Sequence, residues 1–121
     1  MVTITLYRPT GQNELACVAE TGFTKWPPRL VGQPIFYPVA NEEYAIEIAQ
    51  KWNTQGGKTG YVTRFQVRKS FMNKYALHQV GAKHHLEYWI PAVDLDELNK
   101  NIVGKIEVIR TYPETASAET K

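Results

Sequence analysis

The sequence predicts a single α+β domain, built from a mixed, mostly antiparallel sheet of about six strands and two main helices. Short alternating runs outnumber helical ones, no internal repeat is present, and long helices do not separate the strands regularly, as a doubly wound parallel sheet requires. A chain of 121 residues, 43% hydrophobic and 12% aromatic, can bury one core and is near the usual size of one domain.

Val2, Ile4 and Leu6 alternate with Thr3, Thr5 and Tyr7, which predicts a strand with one buried face that Pro9 then ends. Leu15, Val18 and Ala19 follow at helical spacing, with Gly22 as the stop. Between residues 23 and 34, Pro27, Pro28, Gly32 and Pro34 deny regular structure, while Trp26 and Leu30 predict a loop anchored over the body. Pro34 to Val39 reads as a short strand bounded by prolines.

Asn41 is placed to cap a helix from Glu42 to Trp52, whose apolar stripe is Ala45, Ile48, Ala49 and Trp52. Glu42, Glu43 and Glu47 predict its solvated face. Thr54 to Gly60 reads as a flexible glycine turn, followed by a strand from Tyr61 to Arg68, a helical turn or two from Lys69 to Tyr75 and a strand from Ala76 to Val80. His84 to Ala92 reads as a strand, Asp94 as the cap of a short helix through Asn99, and Lys105 to Arg110 as the last strand. The domain is expected over residues 1 to 112, with 113 to 121 a flexible C-terminal tail lacking large apolar side chains.

A net charge of +2 lacks the cationic excess of a protein that grips phosphates, so nucleic acid is not indicated as a partner. Cys17 is alone, which rules out an intramolecular disulfide and a thiolate metal cage, and its place in a helix predicts a small buried side chain. No run approaches ~18 apolar residues and the first residues lack a basic-then-apolar leader, so the expected location is cytoplasmic, without a membrane.

Glu87 is the only carboxylate in His84-His85-Leu86-Glu87-Tyr88-Trp89-Ile90-Pro91-Ala92. Burying a carboxylate among such side chains costs free energy, so Glu87 is expected to be paired or to work. His84 and His85 are adjacent, so in a strand they would point to opposite faces, and no metal site is expected. His85 would share the face of Glu87, two residues on, where it could orient a substrate or handle a proton.

Three segments place polar beside aromatic groups at element ends: Tyr7-Arg8-Pro9-Thr10, Phe36-Tyr37-Pro38 with Tyr44, and Leu86-Glu87-Tyr88-Trp89. Their order resembles the ADP-ribosyltransferase superfamily, and more closely small bacterial proteins labelled "ADP-ribosylation/crystallin J1", over roughly residues 3 to 109. The resemblance implies an ADP-ribosyltransferase-like fold and NAD as small-molecule substrate. Glu87 would be catalytic, Arg8 would hold NAD with Tyr7 and Thr10 beside it, Tyr37 and Tyr44 would line the nicotinamide site, and His85 would join the cofactor-binding residues as the substrate-orienting group.

Cleaving the bond from ribose to nicotinamide develops positive charge on the sugar, which a nearby carboxylate stabilises, while guanidinium suits pyrophosphate and tyrosine rings stack on nicotinamide. The implied activity is mono-ADP-ribosyl transfer to a macromolecule such as a protein, as by a toxin or modifier. Superfamily members that modify arginine carry Ser-Thr-Ser on the middle strand and a second acidic or amide residue two before the catalytic Glu, whereas Phe36-Tyr37-Pro38 and His85 stand here. The alternative is therefore a non-catalytic binding or immunity-type protein on the same scaffold.

Overall fold

The computed structural model describes residues 2 to 113. In chain order the elements are β1 (Thr3–Gly11), α1 (Gln12–Glu20), β2 (Ile35–Phe36), α2 (Glu42–Ile48), β3 (Gly60–Arg68) and α3 (Lys69–Met72). They are followed by β4 (Leu77–Gln79), β5 (Leu86–Tyr88), β6 (Ile90–Pro91), α4 (Leu95–Lys100) and β7 (Ile102–Tyr112). The class is α+β, and every strand pair is antiparallel: β1-β3-β7 form one sheet, β2 pairs with β6, and β4 with β5. Val39 joins the pieces, bridging Tyr7 of β1 on one side and Glu87 of β5 on the other.

Among the described residues seven strands form instead of about six, because the segment expected as one strand over 84–92 divides at Trp89. Its first half pairs with β4 and its second with β2. β1 also runs on through Pro9 to Gly11. The amide and carbonyl of Tyr7 face Val39, so by alternation the nitrogen of Pro9 faces that same side and its missing proton takes nothing from the ladder with β3.

The end of α1 follows the sequence closely. Gly22 sits at φ +75° and donates to Ala19, while Phe23 donates to Val18, the paired bonds of a Schellman cap. Val18 is the buried residue of α1, and Cys17, about 100° round the helix, is exposed rather than packed inside.

Trp26 is the buried apolar anchor of the following loop. Its ring lies against Phe36 and Phe65, and the Asn99 side chain both accepts from its backbone N–H and donates to its backbone carbonyl, each at 2.9 Å. Leu30, the other expected anchor, is exposed.

Asn41 caps α2 as expected, accepting from the Tyr44 N–H at 2.8 Å. The helix stops its regular course at Ile48 and continues as a π turn, Ala49–Asn53. The wider turn takes Trp52 off the 3.6-residue stripe, so Ala45 and Ala49 are buried but Trp52 is 64% exposed. Gly60 lies directly beneath: a Cβ there would stand 2.6 Å from the Ala49 carbonyl oxygen and 2.8 Å from Asn53 Cβ.

Asp94 precedes α4 but makes no side-chain cap; its carboxylate accepts instead from the Tyr75 hydroxyl at 2.8 Å. Burial and that hydrogen bond push the Tyr75 phenol well above its ordinary range. The main core gathers Leu6, Trp26, Phe36, Phe65, Leu98 and Ile106, among others, on one face of the sheet, and a smaller cluster around Val39, Ala45 and Val62 lies under α2. Among the described residues no helix is long and apolar enough to cross a membrane. The expected tail lies outside the described residues except for Pro113.

Candidate functional site

Register decides which predicted residues meet. Tyr7, Val39 and Glu87 are cross-strand partners, so their side chains share the sheet face on which α2 packs. Arg8, next to Tyr7, points to the other face together with Leu6 and Thr10. There its guanidinium lies 4.4 Å from the Phe36 ring centre and 5.7 Å from that of Trp26.

On the Glu87 face, Oε1 of the carboxylate accepts from the Tyr44 hydroxyl at 3.0 Å and Oε2 from Trp89 Nε1 at 2.7 Å. Trp89 in turn stacks on His78, with ring centres 3.8 Å apart and planes 8° from parallel. Burial, then the hydrogen bond and charge of Glu87, and last the charge of Glu47 push the Tyr44 phenol up to about 12. Tyr44 therefore donates across the physiological range. Glu87 is paired, with hydroxyl and indole donors rather than with a cation: Arg8 binds Glu14, and Arg64 binds Glu107 at 3.1 Å.

An open depression of about 460 Å³ runs along this edge, lined by Arg8, Pro9, Tyr37, Val39, Ile48, Glu87 and Trp89. Arg8, Tyr37 and Glu87 thus reach one groove although the first and last stand on opposite faces of the sheet. Tyr44 stands behind Glu87, and Thr10 lies on the Arg8 side.

Beyond Arg8 lies a cavity of about 630 Å³, which also includes Thr10, Glu14, Cys17, Arg29 and Asn53. Glu14 organises it. The carboxylate receives the Arg8 fork through Nε at 3.0 Å and Nη2 at 2.9 Å, accepts from the Thr10 hydroxyl, and stands 3.7 Å from Arg29 Nη1. Burial raises the Glu14 carboxyl, but the charge and hydrogen bonds of Arg8, with Thr10 and Arg29, bring it below the ordinary carboxylate range. Burial and the neighbouring Arg8 charge lower Arg29. Only Nη1 of Arg8 remains toward the groove, donating to the Tyr37 carbonyl at 3.4 Å.

His84 and His85 do not follow the strand geometry expected of them. They lie in the turn from β4 to β5, where alternation does not apply, and both Nε2 atoms converge on Glu47 of α2. Glu47 is therefore no solvated bystander, and Glu42 likewise holds Arg110 at 2.8 Å. The His85 ring lies 4.6 Å from that of Tyr44, so it touches the back of the Glu87 site rather than its strand face.

Glu14 and Arg29 were given no site role by the sequence and Glu47 was placed on a solvated helix face; of the three, only Glu14 carried a local signal. It is an acidic residue in the first turn of a helix, six positions after an arginine whose strand runs directly into that helix. No protein-family model, curated protein or solved structure matches the chain.

Proposed function

We propose that the protein is an NAD-dependent ADP-ribosyltransferase-like enzyme of the cytoplasm, acting on a macromolecular acceptor with Glu87 as its catalytic carboxylate. The observation that carries this reading is a carboxylate with each oxygen held by a neutral donor, in a groove it shares with Tyr37, Trp89 and Arg8. Neutral donors orient a carboxylate while leaving its negative charge uncompensated by a cation, which suits a sugar that becomes positive as its bond to nicotinamide breaks.

In the proposed reaction the bond between ribose C1′ and the nicotinamide nitrogen breaks, and its electron pair leaves with nicotinamide. Glu87 stabilises the positive sugar and accepts a hydrogen bond from a ribose hydroxyl. The acceptor nucleophile then forms a bond to C1′ and loses its proton. Exposed Tyr37 and Trp89 offer ring faces to nicotinamide, and the remaining dinucleotide would extend past Arg8 toward Arg29.

Glu14 gives the second reading its ground. It closes the Arg8 fork, so bidentate capture of a pyrophosphate requires Glu14 to withdraw; a scaffold that binds a protein partner without NAD has no such requirement.

Thermal shift with millimolar NAD, followed by nicotinamide release, separates the two. The enzyme reading expects a raised midpoint and release in the parent protein, with release lost in Glu87→Gln and the ligand-free midpoint nearly unchanged. Equal release from Glu87→Gln removes the residue from the reaction. No response to NAD, together with a stable protein partner, establishes the binding reading.

A further inference from the structure

Two imidazoles that meet one carboxylate outside the proposed NAD groove form a different kind of site. His84 Nε2 contacts Glu47 Oε2, and His85 Nε2 lies 2.9 Å from Glu47 Oε1. The three donor atoms that a metal would use all lie within 4.8 Å of one another. Bonds of about 2.0–2.1 Å in a tetrahedral zinc site set donors roughly 3.3–3.5 Å apart, so small side-chain movements would admit an ion. Each residue is half-buried, leaving the cluster open on one side to water as a fourth ligand. Glu43 Oε2, 3.9 Å from His84 Nε2, can hold that water or replace it.

We propose that Glu47, His84 and His85 form a binding site for a zinc-like divalent transition-metal ion, which locks the turn between β4 and β5 onto α2. The mixed nitrogen and carboxylate set suits a borderline ion rather than calcium or magnesium, which favour all-oxygen sites. Residues 80 to 83 are exposed, and polar groups tie this turn to α2. One tie already exists in the Asn41 amide, which donates to the His84 carbonyl at 2.7 Å.

Metal ligation changes the proton positions. In the metal-free protein the Ala82 N–H donates to His85 Nδ1 at 3.0 Å, which places the ring proton on Nε2, facing Glu47. Ligation through Nε2 moves that proton to Nδ1, so the Ala82 N–H must turn away. The site therefore costs one backbone hydrogen bond to load, and the Ala82 amide reports its loading. The His85 ring rests on Tyr44, and Tyr44 holds Glu87, so the ion would also steady the groove carboxylate from behind.

The test uses tag-free, chelator-treated full-length protein titrated with Zn²⁺ alone in a calorimeter, and with Co²⁺ by visible absorption. The expected result is one ion per chain, a low-coordinate cobalt spectrum, and a displaced Ala82 amide resonance. Glu47→Gln and His84→Ala should each weaken binding by about 100-fold or more, while His78→Gln, outside the cluster, leaves it unchanged. Should a variant fail to fold, the displaced resonances in the parent protein decide the matter. Absence of one-to-one binding, a shift confined to residues remote from Ala82, or equal affinity in folded Glu47→Gln overturns the proposal. NAD enters none of these measurements, so failure of the NAD reading leaves their outcome intact.

Discussion

The Tyr44 hydroxyl donates to Glu87 Oε1 at 3.0 Å across 43 residues of chain, which couples the first turn of α2 to the carboxylate on β5. A hydrogen bond to a charged group contributes about 1.5–3 kcal/mol. In the proposed enzyme, Tyr44→Phe keeps the ring on His85 but frees one Glu87 oxygen. Nicotinamide release should fall about 10- to 100-fold in kcat, with KM for NAD changed far less. An unchanged kcat would show that Trp89 alone positions the carboxylate.

The same pair sets an alkaline limit. The Tyr44 phenol ionises near 10 when exposed and is pushed up to about 12 in the fold, so the folded state retains a proton that the unfolded chain loses first. A raised value stabilises the fold fully below 10, and that contribution disappears as pH rises from 10 to about 12. Tyr75, raised by burial and by Asp94, adds in the same direction. Denaturant midpoints measured across this window should decline less steeply in Tyr44→Phe than in the parent protein.

Glu14 governs the acid side with the opposite sign. Its carboxyl is lowered in the fold from an ordinary 4.5, so its contribution is present above that value and is lost as pH falls through the lower folded value. Glu14→Gln should flatten the acid limb of the stability profile. At neutral pH it also leaves Arg8 and Arg29 facing each other without a carboxylate, both mostly buried, at a cost of about 2–3 kcal/mol in urea unfolding.

What the sequence made readable follows the range of each interaction. Gly22 and Asn41 act on atoms within a few residues, and both ends of helix fall where the residues say. Glu87 stood out because a carboxylate among aromatics needs partners, yet neither partner was fixed by composition: Trp89 is two residues away, but Tyr44 arrives from another element. The two histidines were misread because their geometry depends on where a turn begins. The exposed Trp52 was misread because a π turn shifts a helical stripe without any glycine or proline to mark it. Arg8 was legible as a strand-end cation, while its partner depended on how α1 leaves β1.

Asn99 offers a test of long-range closure. Its side chain satisfies both backbone groups of Trp26, 73 residues earlier, and so holds a loop that forms neither helix nor strand. Asn99→Ala should destabilise the protein by about 2 kcal/mol, and hydrogen exchange should show faster opening of residues 23 to 34 before any other segment. Global exchange with no local opening would mean that Trp26 packing alone fixes the loop.

A close backbone approach separates two glycines sharply. At Gly60 an added methyl meets the Ala49 carbonyl oxygen at 2.6 Å and Asn53 Cβ at 2.8 Å, and the former is backbone that cannot rotate aside. At Gly11 nothing lies within 4 Å, and φ of −97° is open to any residue. Gly60→Ala should therefore cost about 1–3 kcal/mol by forcing β3 away from the π turn. Gly11→Ala should be close to neutral, because the lost freedom of the unfolded chain offsets the poorer helix start. Urea denaturation of both variants checks the pair, and equal stabilities would mean that the π turn yields without cost.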